Sequence, residues 1–494
     1  MSETDTEFGR TGPRKLSRRG LLRAGLVGTI ALAGTAALAG CGEEEEEAMA
    51  PAATKAATEA PVATAAPEAP AQEEAVTISV WIVNQNDDTK KVHEEKIYPD
   101  FEAANPSIKI EHRWLTWAKN IETILTAFAG DAPPDIFELG ASHSVTFSDR
   151  GQLFNIDPWL AAWEGTSDFF PQGLQTPFWN GHMWGLPHLI APRTVFWRQD
   201  IFDEVGITSV PETWEDVVEA TGKMTTVEDG QLIREGMNWV GIQEYHAMYY
   251  AISSTPVIVD GKSTLNSDDG VTTLQYLVDR WDATGGQAGG VELPESPIPY
   301  FVSGEQATVY TNMGGSVRQV KRHKPELLDS IIVEKPPVPG GDVYKASDPG
   351  VVAPVVQSFN DWMAVSAFIK HEDQTWEVLQ HLMTPENLLL YNETLFFIPP
   401  RKSAADQGFV LEDHNPSMVN LLNNYGITAP KMPSQREFYK AGQDQFQEAR
   451  FHKVGVEEAM ALVEEGQNQV LADADFTGGI YPNDDIREVP VSFG

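Results

Sequence analysis

From residue 76 the chain alternates strand-patterned and helix-patterned segments, and that alternation restricts the architectures open to it more than any other feature. Val76, Ile78, Val80 and Ile82 share one parity, the period of a strand with one face buried. Ser107-Ile108-Lys109-Ile110-Glu111 and Asp135-Ile136-Phe137-Glu138-Leu139 predict two more strands. A helical stretch around Val92 to Asn105 separates the first two. Before the third, Ile121, Ile124, Leu125 and Phe128 recur at helical spacing, and Gly130-Asp131-Ala132-Pro133-Pro134 breaks that helix. Strands separated by helices pair in parallel, so this segment predicts a parallel sheet covered by helices on both faces. The pattern returns downstream. Thr213 and Asp216 form a capping pair for a helix that turns Trp214, Val217 and Val218 inward. Asp373 precedes Trp376, Leu379, Leu382 and Met383 in a second amphipathic helix, and Pro385 opens a third with Leu388, Leu389 and Tyr391. Residues 76–494 are long enough for two or three domains, and no short-period repeat runs through them.

The residues ahead of this body read as an address and a tether. Arg10, Arg14, Lys15, Arg18, Arg19 and Arg23 form a basic start, followed by an uncharged run of small and apolar residues over 24–40. That run is marginal for spanning a bilayer and rich in Gly and Ala, which favours a removable signal peptide. Ser17-Arg18-Arg19-Gly20-Leu21-Leu22-Arg23 resembles a twin-arginine export motif, and Leu38-Ala39-Gly40-Cys41 resembles a lipobox, whose cysteine is acylated and becomes the new N-terminus. Cys41 is the only cysteine, so its acylation would leave no thiol for disulfide, redox or metal chemistry. Five acidic residues, 43–47, lead into an Ala/Pro/Thr/Glu segment with nothing to bury, the composition of a disordered spacer over residues 41–75.

The formal net charge of −37 bears on partners. Residues 1–40 carry six Lys/Arg against three Asp/Glu, so the rest of the chain carries −40. Such a surface opposes nucleic acid, whose phosphates require a basic patch, and opposes anionic lipid except through a tether. Enzymatic signatures are scarce. His93-Glu94-Glu95 and His371-Glu372-Asp373 lack the second histidine of a zinc helix, and no nucleophile-elbow motif occurs. Gly261-Lys262-Ser263 resembles the end of a phosphate-binding loop, but Pro256 stands where its first glycine belongs. Asn266-Ser267-Asp268-Asp269-Gly270 lacks the closing glutamate of a calcium loop and reads as a turn and helix cap. No catalytic residue, metal site or cofactor is expected.

A series of short motifs then points to one family. Phe101-Glu102-Ala103-Ala104-Asn105-Pro106, Ala129-Gly130-Asp131-Ala132-Pro133-Pro134-Asp135-Ile136, Gly185-Leu186-Pro187 with Val195-Phe196-Trp197-Arg198-Gln199-Asp200, and Val210-Pro211-Glu212-Thr213-Trp214 occur in its order. Gly304-Glu305-Gln306-Ala307-Thr308-Val309, the run from Trp376 to Pro385, and Pro399-Pro400-Arg401-Lys402-Ser403 follow. With these motifs spread over residues 76–470, the chain resembles the family 1 extracellular solute-binding proteins, the group that includes maltose-binding proteins. The resemblance implies an α/β, type II-like periplasmic-binding-protein fold. Its two lobes would each be a mostly parallel sheet flanked by helices, with hinge strands crossing between them. Expected boundaries are 76–192 plus 353–402 for lobe 1, 193–352 plus 403–475 for lobe 2, and a tail over 476–494. It implies the substrate-binding subunit of an ABC importer, a monomer tethered at Cys41 outside the cytoplasmic membrane. That subunit would deliver a mono- or oligosaccharide to permease subunits driven by a cytosolic ATPase. Alternatives are the same fold holding a polyol phosphate, polyamine or other small solute, and a lipid-anchored glycoside hydrolase, which would need two carboxylates set across the cleft.

Sugars present flat C–H faces and many hydroxyls, so their sites combine aromatic plates with a few hydrogen-bonding side chains. This chain has 13 tryptophans, several at strand ends where open α/β sheets bind ligands. On that ground Trp81, Asn84, Gln85, Trp114 and Trp117 are candidates in lobe 1. The resemblance adds Ser142 and His143 after the third strand, Arg193 and Trp197 at the crossover, Trp239 and Tyr245, and Tyr310 with Asn312. It also adds Asn360, Asp361 and Trp362 on the return strand, and Arg436 at a late helix start. Gly314-Gly315 departs from the family pattern, standing where many relatives carry an aromatic.

Overall fold

The computed structural model describes residues 75–285, 298–340, 354–432 and 434–476. The basic N-terminus, Cys41, the acidic spacer and residues 477–494 lie outside these, as does the side chain of Ser142.

The predicted strand parity fixes the first sheet. In Val76–Val83, the side chains of Ile78, Val80 and Ile82 are fully buried. This strand pairs in parallel with Ile108–Leu115 on one side and Ile136–Gly140 on the other. A lock at the entrance sets the register: Asp135 Oδ2 accepts from Ser79 N–H (2.8 Å) and from its hydroxyl (2.7 Å), while Asp135 N–H donates to Ser79 Oγ. Two further strands, Asp361–Val365 and Gly185–Leu189, complete five, and both of their pairings are antiparallel. Gly185 is required here, because a Cβ would stand 2.1 Å from the Met363 carbonyl oxygen.

The second sheet runs Ile331–Val333, Thr194–Arg198, Gln306–Thr311, Gln231–Met237, Thr226–Glu228. Only Gln306–Thr311 with Gln231–Met237 is parallel. The sheets are thus more mixed than strand–helix alternation suggests. Asp361–Val365 in the first sheet and Thr194–Arg198 in the second, each entered from the other lobe, run against the direction of the parallel strands, a long-range event that local periodicity does not encode. Each sheet carries its own core. Ile78, Phe101, Leu186, Met363 and Leu379 belong to the first, and Trp197, Trp214, Tyr245, Leu277 and Phe438 to the second.

Helix signals are obeyed closely. Thr213 and Asp216 exchange capping hydrogen bonds at the head of Trp214–Met224, and Ser267 caps Asp268–Ala283 as the turn reading expects. The stretch expected to be one helix from Val92 contains a π-turn, His93–Ile97, between Asp87–Val92 and Tyr98–Ala104. Among the described residues, no helix is long and apolar enough to cross a membrane.

The lobes are joined by a narrow ribbon of crossing segments. Ile190 and Ile398 exchange backbone hydrogen bonds, Arg193 N–H donates to Gln357 O, and Phe359 N–H donates to Ala191 O. Beside it, Val356–Ser358 pairs in parallel with Gly426–Thr428. Asn360 sits inside this ribbon, fully buried, with its amide donating to Gln172 O (2.8 Å) and Thr176 Oγ1 (3.1 Å).

Candidate functional site

The three parallel strands of lobe 1 end at Val83, Leu115 and Gly140, and the loops beyond them converge on the gap between the lobes. Facing them, helix Gln435–Arg450 presents its first turn from lobe 2. Between the two lies a cavity of about 1050 Å³, lined by Trp117, Asn120 and His143 on one side and Gln243, Arg436 and Tyr439 on the other. An adjoining recess of about 350 Å³ shares the last three and reaches Glu244.

Trp117 is the plate of this cavity. Its ring is 41% exposed, unlike the other indoles, and its Nε1 donates to Gln85 Oε1 at 3.1 Å, which fixes the ring's orientation. Gly140 makes room for it: a Cβ there would touch both the Trp117 ring (3.5 Å) and Asp361 Oδ1 (3.4 Å). Ring, backbone and carboxylate therefore form one continuous wall. On the same side as Trp117, burial lowers the His143 pKa to about 4, and the positive charge of Arg436 across the gap pushes in the same direction. That imidazole is neutral at pH 7 and can donate at one nitrogen and accept at the other.

At the hinge end of the wall, Arg193 makes a short ion pair with Glu244, and its guanidinium lies 4.0 Å from the centre of the Phe359 ring. Tyr310 lies beside this pair; burial, with Glu244 adding, raises its pKa, so its hydroxyl stays protonated. Beneath the wall Glu138 is fully buried, accepts Val83 N–H at 2.6 Å, and has His188 Nε2 3.3 Å away.

The structure brings together Gln85, Trp117, His143, Asp361 and Arg436, with Arg193 at the hinge end; Asn84 adjoins, its N–H bonded to Leu115 O. Other candidates meet a correction. Trp197 is fully buried, because alternate residues of a central strand face the helices of lobe 2, and Trp362 is likewise inside lobe 1. Tyr245 is core, with its hydroxyl donating to Gly270 O at 2.8 Å. Asn360 is used up in the ribbon, and Asn312 Oδ1 caps the turn at Gly315. Trp239 packs edge-on to Trp281 with Arg450 over its ring. Trp81 and Trp114 fall on opposite faces of the sheet. The first lies beneath the guanidinium of Arg113; the second donates to Glu94 at 2.6 Å.

Glu138 and His188 were missed from sequence, as were Asn120 and Gln243. A lone carboxylate within Ile136–Gly140, where every residue is buried, was the available signal for Glu138. His188 had none, since it faces Glu138 through a β-bulge: Asp361 pairs with Leu189 but Trp362 pairs with Pro187.

A family model described as bacterial extracellular solute-binding protein matches residues 86–388. A binding protein of Brucella abortus is 20% identical over 347 residues, covering 69% of this chain and 81% of its own. The structure resembles that of the sugar-binding protein MalE from Xanthomonas citri, with a TM-score of 0.67 at 18% identity, over 81% of this chain and 98% of that one. It also resembles the maltotriose-bound maltodextrin-binding domain of Bdellovibrio bacteriovorus, with a TM-score of 0.65 at 16% identity, over 81% and 100%.

Proposed function

The chain belongs to the family of bacterial extracellular solute-binding proteins, and from that premise we propose that it captures a mono- or oligosaccharide between its lobes for an ABC importer. The observation that carries this reading is Trp117, an exposed indole held by Gln85 in the interlobe cavity, with Gly140 between its ring and the Asp361 carboxyl group. The ring supplies the apolar face that stacks on a pyranose, and Gln85, Asp361, His143 and Arg436 supply acceptors and donors for its hydroxyls. Because the two sides of the cavity come from different lobes, a ligand touching both favours the closed form by its differential affinity. The sugar-binding names of the structural relatives support the same choice. A hydrolytic role has less support, because the family and the structural relatives are binding proteins.

The rest of the proposal follows the sequence. Export by the twin-arginine motif, acylation at Cys41 and the acidic spacer would leave a monomeric receptor swinging from the outer face of the membrane. Its effective concentration would then be raised at a permease whose ATPase lies inside. Lobe 1 would comprise 76–192 and 353–402, and lobe 2 residues 193–352 and 403–475.

A thermal-shift screen of the full chain against mono- and oligosaccharides, polyols and sugar phosphates tests the reading. A sugar at a hundredfold excess over Kd should stabilise the protein by about 2.7 kcal/mol, and should be recovered intact. Trp117→Ala should weaken that sugar by about tenfold or more through lost stacking and burial, with the melting of the empty protein unchanged because the ring is exposed. Stabilisation by sugar phosphates alone, or cleavage of the bound sugar, would overturn it.

A further inference from the structure

Asp361 differs from the ionisable groups packed around it. It opens the strand that returns to lobe 1, half-buried behind Trp117, and among the described residues its carboxyl group makes no hydrogen bond. Its neighbours are already committed. Arg193 is paired with Glu244 and stacked on Phe359. Glu138 accepts Val83 N–H and faces His188. Asp361 stands opposite Gly140, and Met363 stands opposite Glu138, so the two acidic side chains share one face of adjacent antiparallel strands, two positions apart. Tyr391, from helix Pro385–Leu395, closes the far side with its ring stacked 4.8 Å from His188.

Two carboxyl groups at diagonal positions on one sheet face, one fully buried and one half-buried, do not both ionise without a cost, and the one with fewer partners keeps the proton. Glu138 has a backbone donor and an imidazole beside it; Asp361 has neither. We propose that capture of the ligand is linked to release of a proton from Asp361. In the empty cavity the group is a carboxylic acid; ligand hydroxyls that donate to it make it a carboxylate, and the proton passes to solvent. Burial, with the charge of Glu138 adding to it and only Arg193 opposing, raises the Asp361 pKa well above the ordinary carboxylate range, in keeping with this arrangement. A carboxylate accepting hydroxyl donors forms charge-assisted bonds stronger than those of the neutral acid, which is what drives the release. The inference rests on the carbohydrate reading above and adds a pH dependence to it: affinity should fall by up to about tenfold per pH unit on the acid side of the Asp361 titration.

Calorimetric titration of the full chain with maltotriose, maltose and mannobiose, in phosphate and in Tris at matched pH, measures the linkage. The expected result is a binding heat that differs between buffers by the heat of up to one released proton, a difference absent in Asp361→Asn and in Asp361→Ser. Buffer-independent heats, or proton uptake, overturn the linkage and leave the carbohydrate reading standing. No binding of any sugar overturns that reading, and the linkage with it. A ligand-free comparison adds a second reading of the same proton. A raised native pKa removes stability as pH rises through it, so Asp361→Asn should gain on the unsubstituted chain from pH 4 to pH 8 in urea midpoints; a constant difference overturns the proposal.

Discussion

Acidifying the ligand-free protein from pH 6 to pH 5 is expected to lower its unfolding free energy by up to about 1.4 kcal/mol per pH unit, the equivalent of at most about one net proton taken up on unfolding. The slope is the outcome of a contest. Burial lowers the His93 pKa to about 4 and the His246 pKa to about 3, and burial with Arg436 lowers that of His143 to about 4. Released into the unfolded chain, these three imidazoles titrate near about 6.5, so unfolding takes up protons below that value. A lowered native pKa gives stability that is present above the unfolded value and lost as the pH falls. Two carboxyl groups oppose this. Burial raises the Glu235 pKa to about 7 despite Arg450 and Arg280, and Asp361 is raised too. Both hold protons in the native state that the unfolded chain gives up, so their effect runs the other way. Urea midpoints at half-unit pH intervals measure the net slope. Glu235→Gln should steepen it by about one proton and His246→Phe should flatten it by about one. If neither substitution alters the slope, the buried imidazoles and Glu235 do not govern acid stability.

Trp197→Ala is expected to cost about 3–5 kcal/mol of stability, the range for deleting a fully buried indole and leaving a cavity. Per folded molecule, sugar affinity should be unchanged. The side chain has no measurable exposure and packs against Phe202 with ring centres 5.6 Å apart. Trp117→Ala should show the reverse, with affinity lost and stability kept. Denaturant unfolding and calorimetry on both variants separate the roles of two residues that both stand as site candidates in the sequence. A Trp197→Ala protein as stable as the unsubstituted chain would refute the core assignment.

That pair shows where sequence stops being informative. The first strand, the helix cap at Thr213 and the helices opened by Ser267 and Pro385 were legible, because each is written in neighbouring residues as a period or a cap. The order of short motifs carried the two-lobed architecture further than periodicity could. The site was legible only in part. Trp117, Gln85, His143, Asp361 and Arg436 come from five separate segments, and each lies just past or at an end of an element. Trp197 and Trp362 also lie near strand ends, but residue parity within a central strand turns them into the cores. Which parity faces a neighbouring layer depends on how distant segments stack, and one bulge, as at His188, resets it.

The distribution of indoles has an optical consequence. All 13 tryptophans fall within the described residues, yet Trp117 alone is exposed beyond the half-buried range. Its emission should dominate the red edge of the fluorescence spectrum and supply the fraction that acrylamide quenches. The others give a blue-shifted, shielded background. The molecule therefore carries an intrinsic dye at the mouth of its cavity, and occupancy can be followed by light without attaching any label.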